Sequence, residues 1–344
     1  MGRTRLAAAA LALLALAAAP VAFAAPGGIS PPSPRTDSGE AITQVYWFVF
    51  AICAFVFVAV ETALILFVVR FRRRRGTPEH AEGPQIHGNT RLEVIWTVIP
   101  ALILIAIAVV VFIRVPAVEA TSDAGDEDAL QVRVEAHQFY WQYEYDDGAV
   151  SLDTLYLPVE RLAELQVTAL DVDHSWWVPQ LTGKKDAIPG RNNVLRFRPT
   201  REGTYEGRCA ELCGLYHAFM PTDVRVVSEG EFEQWLAARQ GRQGEEAAAT
   251  LGKETWEHVC AKCHGLEGEG DIGPAVQGNG TMTNGEALWD LVQQGQNTPE
   301  LESYMPPVGR GWERSQLEAL VAYISSNETL SGQGGQQGGG ESGG

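Results

Sequence analysis

Long unbroken apolar runs dominate the first third of the chain, and shorter alternating runs follow them. The first run, Leu6–Ala19, has two arginines before it and the small-x-small triplet Ala22-Phe23-Ala24 after it. These features are typical of a secretory signal peptide, which we predict over residues 1–24. An uncleaved N-terminal anchor is the alternative interpretation of the same run.

Two further apolar runs, Val45–Val69 and Val94–Ile113, are each long enough to cross a bilayer as a helix. The segment Arg70–Arg75 between them contains five arginines, and the positive-inside rule places such a loop in the cytoplasm. We therefore predict a two-helix transmembrane hairpin within residues 40–115, with both of its ends outside. A hairpin in the core of a soluble domain is the alternative, which the arginines and the flanking aromatic residues disfavour.

Two carboxylates interrupt the predicted spans. Glu61 lies inside the first span, where a charge is costly, so it is either a protonated, hydrogen-bonded carboxyl between helices or a functional group. Glu93 opens the second span at its cytoplasmic end, where a carboxylate favourably faces the helix dipole.

Beyond residue 116 the apolar positions alternate with a period of two, which predicts strands. The clearest are Leu130–Ala136 and the aromatic run Phe139–Tyr145, and shorter strands follow between Gly, Pro and Asp turns. No helical periodicity of any length interrupts them. We predict an all-β Greek-key sandwich or barrel over residues 116–232.

In the last third of the chain the apolar positions recur with the period of a helix. A polar stretch, Ala237–Gly244, is predicted to be a linker, and Glu245–Val259 and Trp312–Ser326 are predicted helices. They bound an all-α domain over residues 246–328. Residues 329–344, rich in Gly, Gln and Ser, are predicted to be a disordered tail.

Composition narrows the classes of function. The chain has 26 basic and 43 acidic residues, a net charge of −17, and the whole excess of negative charge lies beyond residue 115. A nucleic-acid-binding protein is disfavoured, because phosphate recognition needs clustered lysine and arginine. The acidic exported part is suited to a basic partner, and uniform solvation of an acidic surface is the alternative interpretation.

The strongest chemical signal lies in the β-rich part. Cys209, Cys213, His217 and Met220 fall within twelve residues, and His174 lies upstream. Soft sulfur ligands with imidazole favour copper, and a weak methionine ligand is typical of copper electron-transfer sites. Zinc fits the ligand count but rarely takes methionine. A Cys209–Cys213 disulfide fits an exported domain but leaves the other three residues without a role.

A second signal, Cys260-Ala-Lys-Cys263-His264, matches the covalent haem c motif, in which two thioether bonds attach the haem and the histidine binds its iron. A redox dithiol also uses C-x-x-C, but no βαβ pattern surrounds this one. The order of motifs over about 80 residues resembles class I cytochrome c. That resemblance implies Met305 as the sixth ligand, in preference to Met282, which lacks the Met-Pro context.

A ring-bracing partner is also predicted for this haem motif. The Pro274 carbonyl is expected to hold the His264 ring, since metal-bound histidines usually donate their second N–H to such a group. The last cysteine, Cys53, lies in the first predicted span and is expected to be a small apolar residue.

Residues 40–230 resemble subunit II of haem-copper cytochrome c oxidases. The matching segments are the start of the second span, the aromatic strand, His174-Ser-Trp, Asp186–Arg191 and the cysteine loop. The resemblance implies a cupredoxin fold with a binuclear copper A centre of two coppers. In the implied centre, Cys209 and Cys213 would bridge the two coppers. His174 and His217 would each bind one copper, with Met220 on one copper and the backbone carbonyl of Glu211 on the other.

The same resemblance implies further roles. The Glu211 carboxylate would help to hold a magnesium ion at the interface with subunit I, and Glu93 aligns with a carboxylate at the mouth of a proton channel. Phe139 stands where many members have a tryptophan through which electrons arrive from cytochrome c. Trp141 is retained, either as part of the electron path or as a core aromatic.

The two resemblances together indicate a caa3-type oxidase subunit II, in which a cytochrome c domain is fused to the copper A subunit. Electrons would pass from reduced cytochrome c or another respiratory donor to haem c, then copper A, then subunit I. Oxygen reduction, coupled to proton translocation, would occur in subunit I, with subunit III as a further partner. The expected location is the bacterial plasma membrane, with the copper and haem domains on its outer face.

Two other classes of protein remain open. An electron carrier for a nitrous-oxide or nitric-oxide reductase would keep both redox motifs, and a copper-binding or assembly protein would keep the copper ligands. A quinol oxidase subunit II is disfavoured, because those relatives lose the copper ligands, which are all present here.

Overall fold

The computed structural model describes residues 29–72, 85, 87–119, 128–240, 245–298 and 303–332. The predicted signal peptide, part of the arginine-rich loop and residues 333–344 of the predicted tail lie outside the described residues. The described chain divides into two compact units. One is built on the two apolar helices, and the other comprises residues 34–39 and the residues after 118.

The helical unit confirms the two predicted membrane helices. Helix α1 spans Asp37–Phe71 and helix α2 spans Thr90–Val118, and both are long and apolar enough to cross a membrane. Each extends beyond the predicted span, because the apolar run marks only the part that suits hydrocarbon and the helical hydrogen bonds continue into polar flanks. Large apolar side chains such as Phe57 and Phe112 are exposed, as lipid-facing residues would be.

The second unit begins with the predicted β-sandwich, formed by two five-stranded sheets. The first sheet has the order β3-β2-β1-β5-β8, with bounds β1 Leu130–His137, β2 Tyr140–Tyr145, β3 Val150–Leu152, β5 Ala163–Ala169 and β8 Asn193–Phe197. The second has the order β4-β10-β9-β6-β7, with bounds β4 Thr154–Pro158, β6 His174–Trp177, β7 Lys185–Ala187, β9 Gly203–Cys209 and β10 Pro221–Val227. The pairs β1·β5 and β4·β10 are parallel, and the others are antiparallel.

Alternation along the strands places one face of each sheet in a shared core. In β5, Ala163, Leu165, Val167 and Ala169 are buried, while the residues between them are half-buried. This is the period of two expected for a strand with one packed face. Trp176 lies at the centre of the core and donates its indole N–H to the Tyr143 hydroxyl at 2.9 Å. The sandwich of residues 130–227, together with the helix that follows it, is referred to below as the copper domain.

Helix α3, Glu229–Gln240, was not predicted, and it includes part of the stretch expected to be a linker. Phe232 is buried in the sandwich core, and the Trp235 ring stacks on Tyr156 with centroids 4.4 Å apart. A single turn of apolar residues is too short a pattern to predict a helix from sequence. The sheet surface against which these residues pack stabilises it.

The haem domain follows, from residue 245. Its elements are α4 Glu245–Thr255, a π-helical turn Trp256–Cys260, α5 Ala261–His264, α6 Gly280–Thr283, α7 Gly285–Gln294, strands β11 Gln296–Thr298 and β12 Ser303–Met305, and α8 Arg314–Ser326. The short antiparallel ribbon β11-β12 is an addition to the predicted all-α fold. Leu330, within the predicted disordered tail, is only 2% exposed and packs in the core of this domain, so residues 329–332 belong to the folded part.

Candidate copper and haem centres

The structure brings the predicted copper ligands from two distant segments into one cluster. His174 begins β6 and Cys209 ends β9, and these neighbouring strands pair so that Trp176 lies opposite Cys209. Cys209 Sγ lies 3.9 Å from His174 Nδ1 and 3.9 Å from Cys213 Sγ. The ligand atoms of these three buried residues all lie within 4.8 Å of one another, close enough to share a metal ion.

The loop between β9 and β10 supplies the remaining candidates. Cys213 Sγ lies 3.5 Å from His217 Nδ1 and 3.9 Å from the Met220 sulfur. The backbone carbonyl of Glu211 accepts a hydrogen bond from the Cys209 thiol at 3.2 Å. Every residue that the resemblance implies as a copper ligand therefore borders the sulfur atoms of Cys209 and Cys213. For Glu211 the group near the sulfurs is the backbone carbonyl, as the resemblance implies.

This donor set fits copper. Two cysteine sulfurs, two imidazoles and a thioether are soft or intermediate ligands, and the two sulfurs stand farther apart than a disulfide bond. A disulfide between Cys209 and Cys213 is therefore absent from these described residues, where both thiols are free. The shared hydrogen bond between the thiols lowers the pKa of Cys209, with a further contribution from His174, and raises the pKa of Cys213.

Asp171 is a site residue that the sequence analysis did not identify. Its carboxylate lies 2.8 Å from His174 Nε2 and also accepts the backbone N–H of Gln138 at 2.6 Å. Burial alone would lower the pKa of His174, but the hydrogen bonds to Asp171 and Cys209 outweigh it and raise that pKa. The carboxylate holds the second nitrogen of the ring and so orients the first toward the sulfurs. The Asp-x-x-His spacing was the available signal.

Two aromatic residues of the β1-β2 region border this cluster. The Trp141 ring is buried and lies edge-on to His174, with centroids 6.1 Å apart. Phe139 lies edge-on to Tyr216 of the cysteine loop at 5.5 Å. Both interpretations of Trp141, electron path and core aromatic, are compatible with this position.

The carboxylate of Glu211 lies apart from the sulfur cluster. It is exposed, and its Oε2 is 3.9 Å from Lys184 Nζ, which also approaches Asp186 at 3.5 Å. Its predicted part in a magnesium site at a subunit interface stays a prediction.

The haem motif forms the helical turn α5 and the loop after it. His264 donates its Nδ1–H to the Pro274 carbonyl at 2.8 Å, the bracing contact predicted above. A Cβ on Gly273 would lie 2.8 Å from the His264 ring, so only glycine permits this approach. The Nε2 atom is thereby left as the free ligand of the ring.

Two of the other haem candidates border one hydrophobic cluster. Cys260 and Met305 are half-buried and pack against it, whereas Met282 is a buried member of it. Burial raises the pKa of Cys260 to about 12, so its thiol is protonated at neutral pH. Together with the half-buried Cys263 thiol and the braced His264 imidazole, Cys260 and Met305 provide the groups that covalent haem c requires.

Glu93 takes part in a helix cap. Its Oε1 accepts the backbone N–H of Asn89 at 3.1 Å, and the Asn89 side chain accepts the N–H of Leu92 at 3.3 Å. This reciprocal pattern satisfies two otherwise unpaired donors at the start of α2. Its predicted role in proton uptake stays a prediction, as does the role of Glu61, which is exposed on α1.

Comparison with known proteins places these features in a family. Residues 29–113 match the family model of the cytochrome c oxidase subunit II transmembrane domain, and residues 149–227 match that of its periplasmic domain. Cytochrome c oxidase subunit 2 of Alkalihalophilus pseudofirmus is 30% identical over 300 residues, which cover 81% of this chain and 85% of the relative. The chain belongs to the cytochrome c oxidase subunit II family. The recognition made from the motifs is confirmed.

Further matches cover the rest of the chain. Residues 247–324 match the family model described as cytochrome c oxidase, cbb3-type, subunit III, which adds a cytochrome c domain to subunit II. Cytochrome c oxidase subunit 2 of Cereibacter sphaeroides is 32% identical over 249 residues, covering 60% of this chain and 80% of the relative. The crystal structure of the periplasmic domain of subunit II of cytochrome oxidase from Bradyrhizobium japonicum is 32% identical, with a TM-score of 0.33, covering 34% of this chain and 98% of that one. The three family models, together with the two apolar helices and the β-sandwich, make this subunit II a multidomain membrane protein with an external cupredoxin domain and a cytochrome c domain.

Proposed function

We propose that this chain is subunit II of a caa3-type cytochrome c oxidase. It passes electrons from an external donor, by way of haem c and binuclear copper A, to subunit I, where oxygen is reduced to water and protons are translocated. The observation that carries the proposal is the presence, in one chain of this family, of the complete sulfur-imidazole cluster and a C-x-x-C-H motif.

The copper centre is assigned to the residues around the two sulfurs. Cys209, Cys213, His174, His217, Met220 and the Glu211 carbonyl would together hold the copper pair. A bound copper pair would accept and release one electron. The protein excludes water from it by burying both cysteines, and Asp171 keeps the His174 ring in place. Rigid, dry surroundings reduce the rearrangement that accompanies a change of charge.

The haem centre is assigned to the motif and the ribbon. Cys260 and Cys263 would hold haem c through thioether bonds, and His264 and Met305 would bind its iron. Bound haem would exchange one electron at the raised potential that His/Met ligation favours. The Pro274 contact and the space that Gly273 leaves support the assignment of His264.

The remaining assignments concern partners and place. Subunits I and III are the proposed membrane partners, and reduced cytochrome c or another respiratory donor supplies electrons to the acidic outer side. We place the complex in the bacterial plasma membrane with both redox domains outside. Glu93 is a candidate for proton uptake, Trp141 for the electron path, and the Glu211 carboxylate for a magnesium ion at the subunit I interface.

Purification from membranes tests the proposal. Solubilised protein is expected to bring a haem-copper subunit I with it, to contain one covalent c-type haem, and to hold two coppers outside subunit I. Absence of subunit I would favour a carrier for another reductase. A single copper without a c-type haem band would favour a copper-binding or assembly protein.

A further inference from the structure

The haem domain and the copper domain share part of a hydrophobic core. The cluster that forms the interior of the haem domain includes Tyr140 and Leu152 from the first sheet of the copper domain, which are 0% and 1% exposed. The Tyr140 hydroxyl donates to the Val308 carbonyl at 2.6 Å and accepts the indole N–H of Trp312 at 2.8 Å. The copper domain thus supplies interior residues to its neighbour.

A buried carboxylate of the copper domain finds its charge partners in the haem domain. The Asp153 side chain is 6% exposed, and its Oδ1 accepts the backbone N–H of Trp141 at 2.9 Å. Its Oδ2 lies 2.5 Å from Lys262 Nζ and 3.3 Å from His258 Nδ1. A carboxylate this buried needs a counter-charge, and both candidates come from the other domain.

Lys262 is the residue between the two haem-attachment cysteines. Besides Asp153, its ammonium group donates to the Phe139 carbonyl at 3.0 Å. The neighbouring Gln138 side chain donates to the Cys213 carbonyl at 2.6 Å. Two hydrogen bonds, from Lys262 to Phe139 and from the adjacent Gln138 to Cys213, therefore connect helix α5 to the loop that holds the candidate copper ligands.

A second ion pair joins the domains at a distance from the first. Arg239 of α3 forms a bidentate pair with Glu254 of α4, at 2.7 and 2.5 Å, and also donates to the Val150 carbonyl at 2.9 Å. Bidentate arginine pairs fix orientation as well as separation. With the neighbouring contacts of Tyr140 and Asp153, this ion pair attaches the haem domain to the copper domain at two places.

We propose that the haem domain is docked in one position on the copper domain, and that Lys262 is the positioning residue that fixes helix α5, with its haem-attachment motif, on Asp153 and the Phe139 carbonyl. This inference rests on the proposed function, which supplies the reason for holding the two centres in one arrangement. One electron passes between the two centres, and no bond forms or breaks. The surface around Phe139 is then covered by this chain's own cytochrome domain, so an external donor reacts at the haem domain.

The test uses the purified complex with both centres loaded and oxidised. Pulsed electron paramagnetic resonance measures the distance distribution between the copper centre and low-spin haem. A single narrow distribution is expected for the unaltered protein. A broad distribution there would overturn the proposal, whatever the variants show.

Variants then test Lys262 itself. Lys262→Gln leaves Asp153 without its nearest cation, and we expect a broader distance distribution, faster hydrogen exchange at the Trp141 and Trp312 amides, and an about tenfold slower haem-to-copper transfer. Lys262→Arg is expected to restore most of each signal. Lys253→Gln is the matched control, since this lysine lies on the same domain and pairs only with Glu257 at its surface among the described ion pairs.

The outcomes separate the two proposals. If Lys262→Gln behaves as Lys253→Gln does in exchange, distance and rate, the positioning role is overturned while the proposed function stands. If Lys262→Gln fails to load haem, Asp153→Asn removes the partner carboxylate of Lys262 from outside the haem motif. A distance distribution and hydrogen exchange identical to those of the unaltered protein would then overturn the positioning role of Lys262. Lack of haem c or of the copper pair in the unaltered protein would instead refute the proposed function.

Discussion

The copper and haem centres differ in how the protein holds their candidate ligands. The copper ligands come from segments 35 residues apart, which adjacent strands β6 and β9 bring together, and most of them are buried in the sandwich core. Three of the four haem candidates lie within Cys260–His264 and are half-buried. The packing of a sheet therefore orders the candidate copper ligands, whereas a short motif brings together most of the candidate haem ligands.

The substitution with the largest expected effect disrupts the copper centre alone. Cys209→Ser removes one of the two sulfurs at the centre of the cluster, so the near-infrared absorbance of copper A should disappear while the c-type haem band remains. Cys53→Ser, at the remaining cysteine outside both centres, is the control and should retain both signals. Unchanged near-infrared absorbance in Cys209→Ser would refute the ligand assignment.

A complementary change breaks the haem side. Met305→Ala should convert the haem to high-spin or alternative ligation and lower its potential, since His/Met ligation raises it. Absorption spectra and redox titration measure both effects. Because Met282 is buried in the domain core, the matched control is Met282→Leu, which keeps the volume and should leave the haem spectrum as it is. If Met282→Leu changes the haem spectrum and potential and Met305→Ala does not, the assignment of Met305 as a haem ligand is wrong.

A smaller effect tests how the sheet orients a copper ligand. Asp171→Asn keeps the shape of the side chain but removes the charge beside His174, and about a 10- to 100-fold loss of copper affinity is expected. Competition with a chelator measures it, and the haem band serves as an internal reference. Asp173→Asn, two residues away and exposed, is the control. Equal affinities in the two variants would show that Asp171 does not orient the ligand.

The smallest expected effect concerns the packing behind the haem motif. A Cβ on Gly252 of α4 would lie 2.1 Å from the Ala319 carbonyl oxygen of α8, so Gly252→Ala should destabilise the haem domain by about 1–3 kcal/mol. Thermal unfolding followed at the Soret band measures this. Gly285→Ala, where a Cβ meets nothing within 4 Å, is the control. A loss no greater than that of Gly285→Ala would show that α4 and α8 can separate at little cost.

Much of the fold and of the candidate sites was predictable from local pattern. Apolar runs of spanning length predicted α1 and α2, and the alternation of apolar residues predicted the strands of the sandwich. The C-x-x-C-H motif and the twelve-residue cysteine loop contain most of the donor groups within themselves. Such features are readable because residues close in sequence are constrained by the period of one element or the span of one loop.

The tertiary structure decided what depends on separated segments meeting. The pairing of β6 with β9 sets His174 beside Cys209, and the turn before β6 brings Asp171 to the same ring. Helix α3 was not predicted and extends into the predicted linker, because the sheet stabilises a pattern too short to be read alone. Lys262, to which the sequence analysis gave no role, pairs with Asp153, which lies 109 positions earlier in the chain. Register, packing and the burial of charge determine these contacts, and none of them leaves a periodic trace in the sequence.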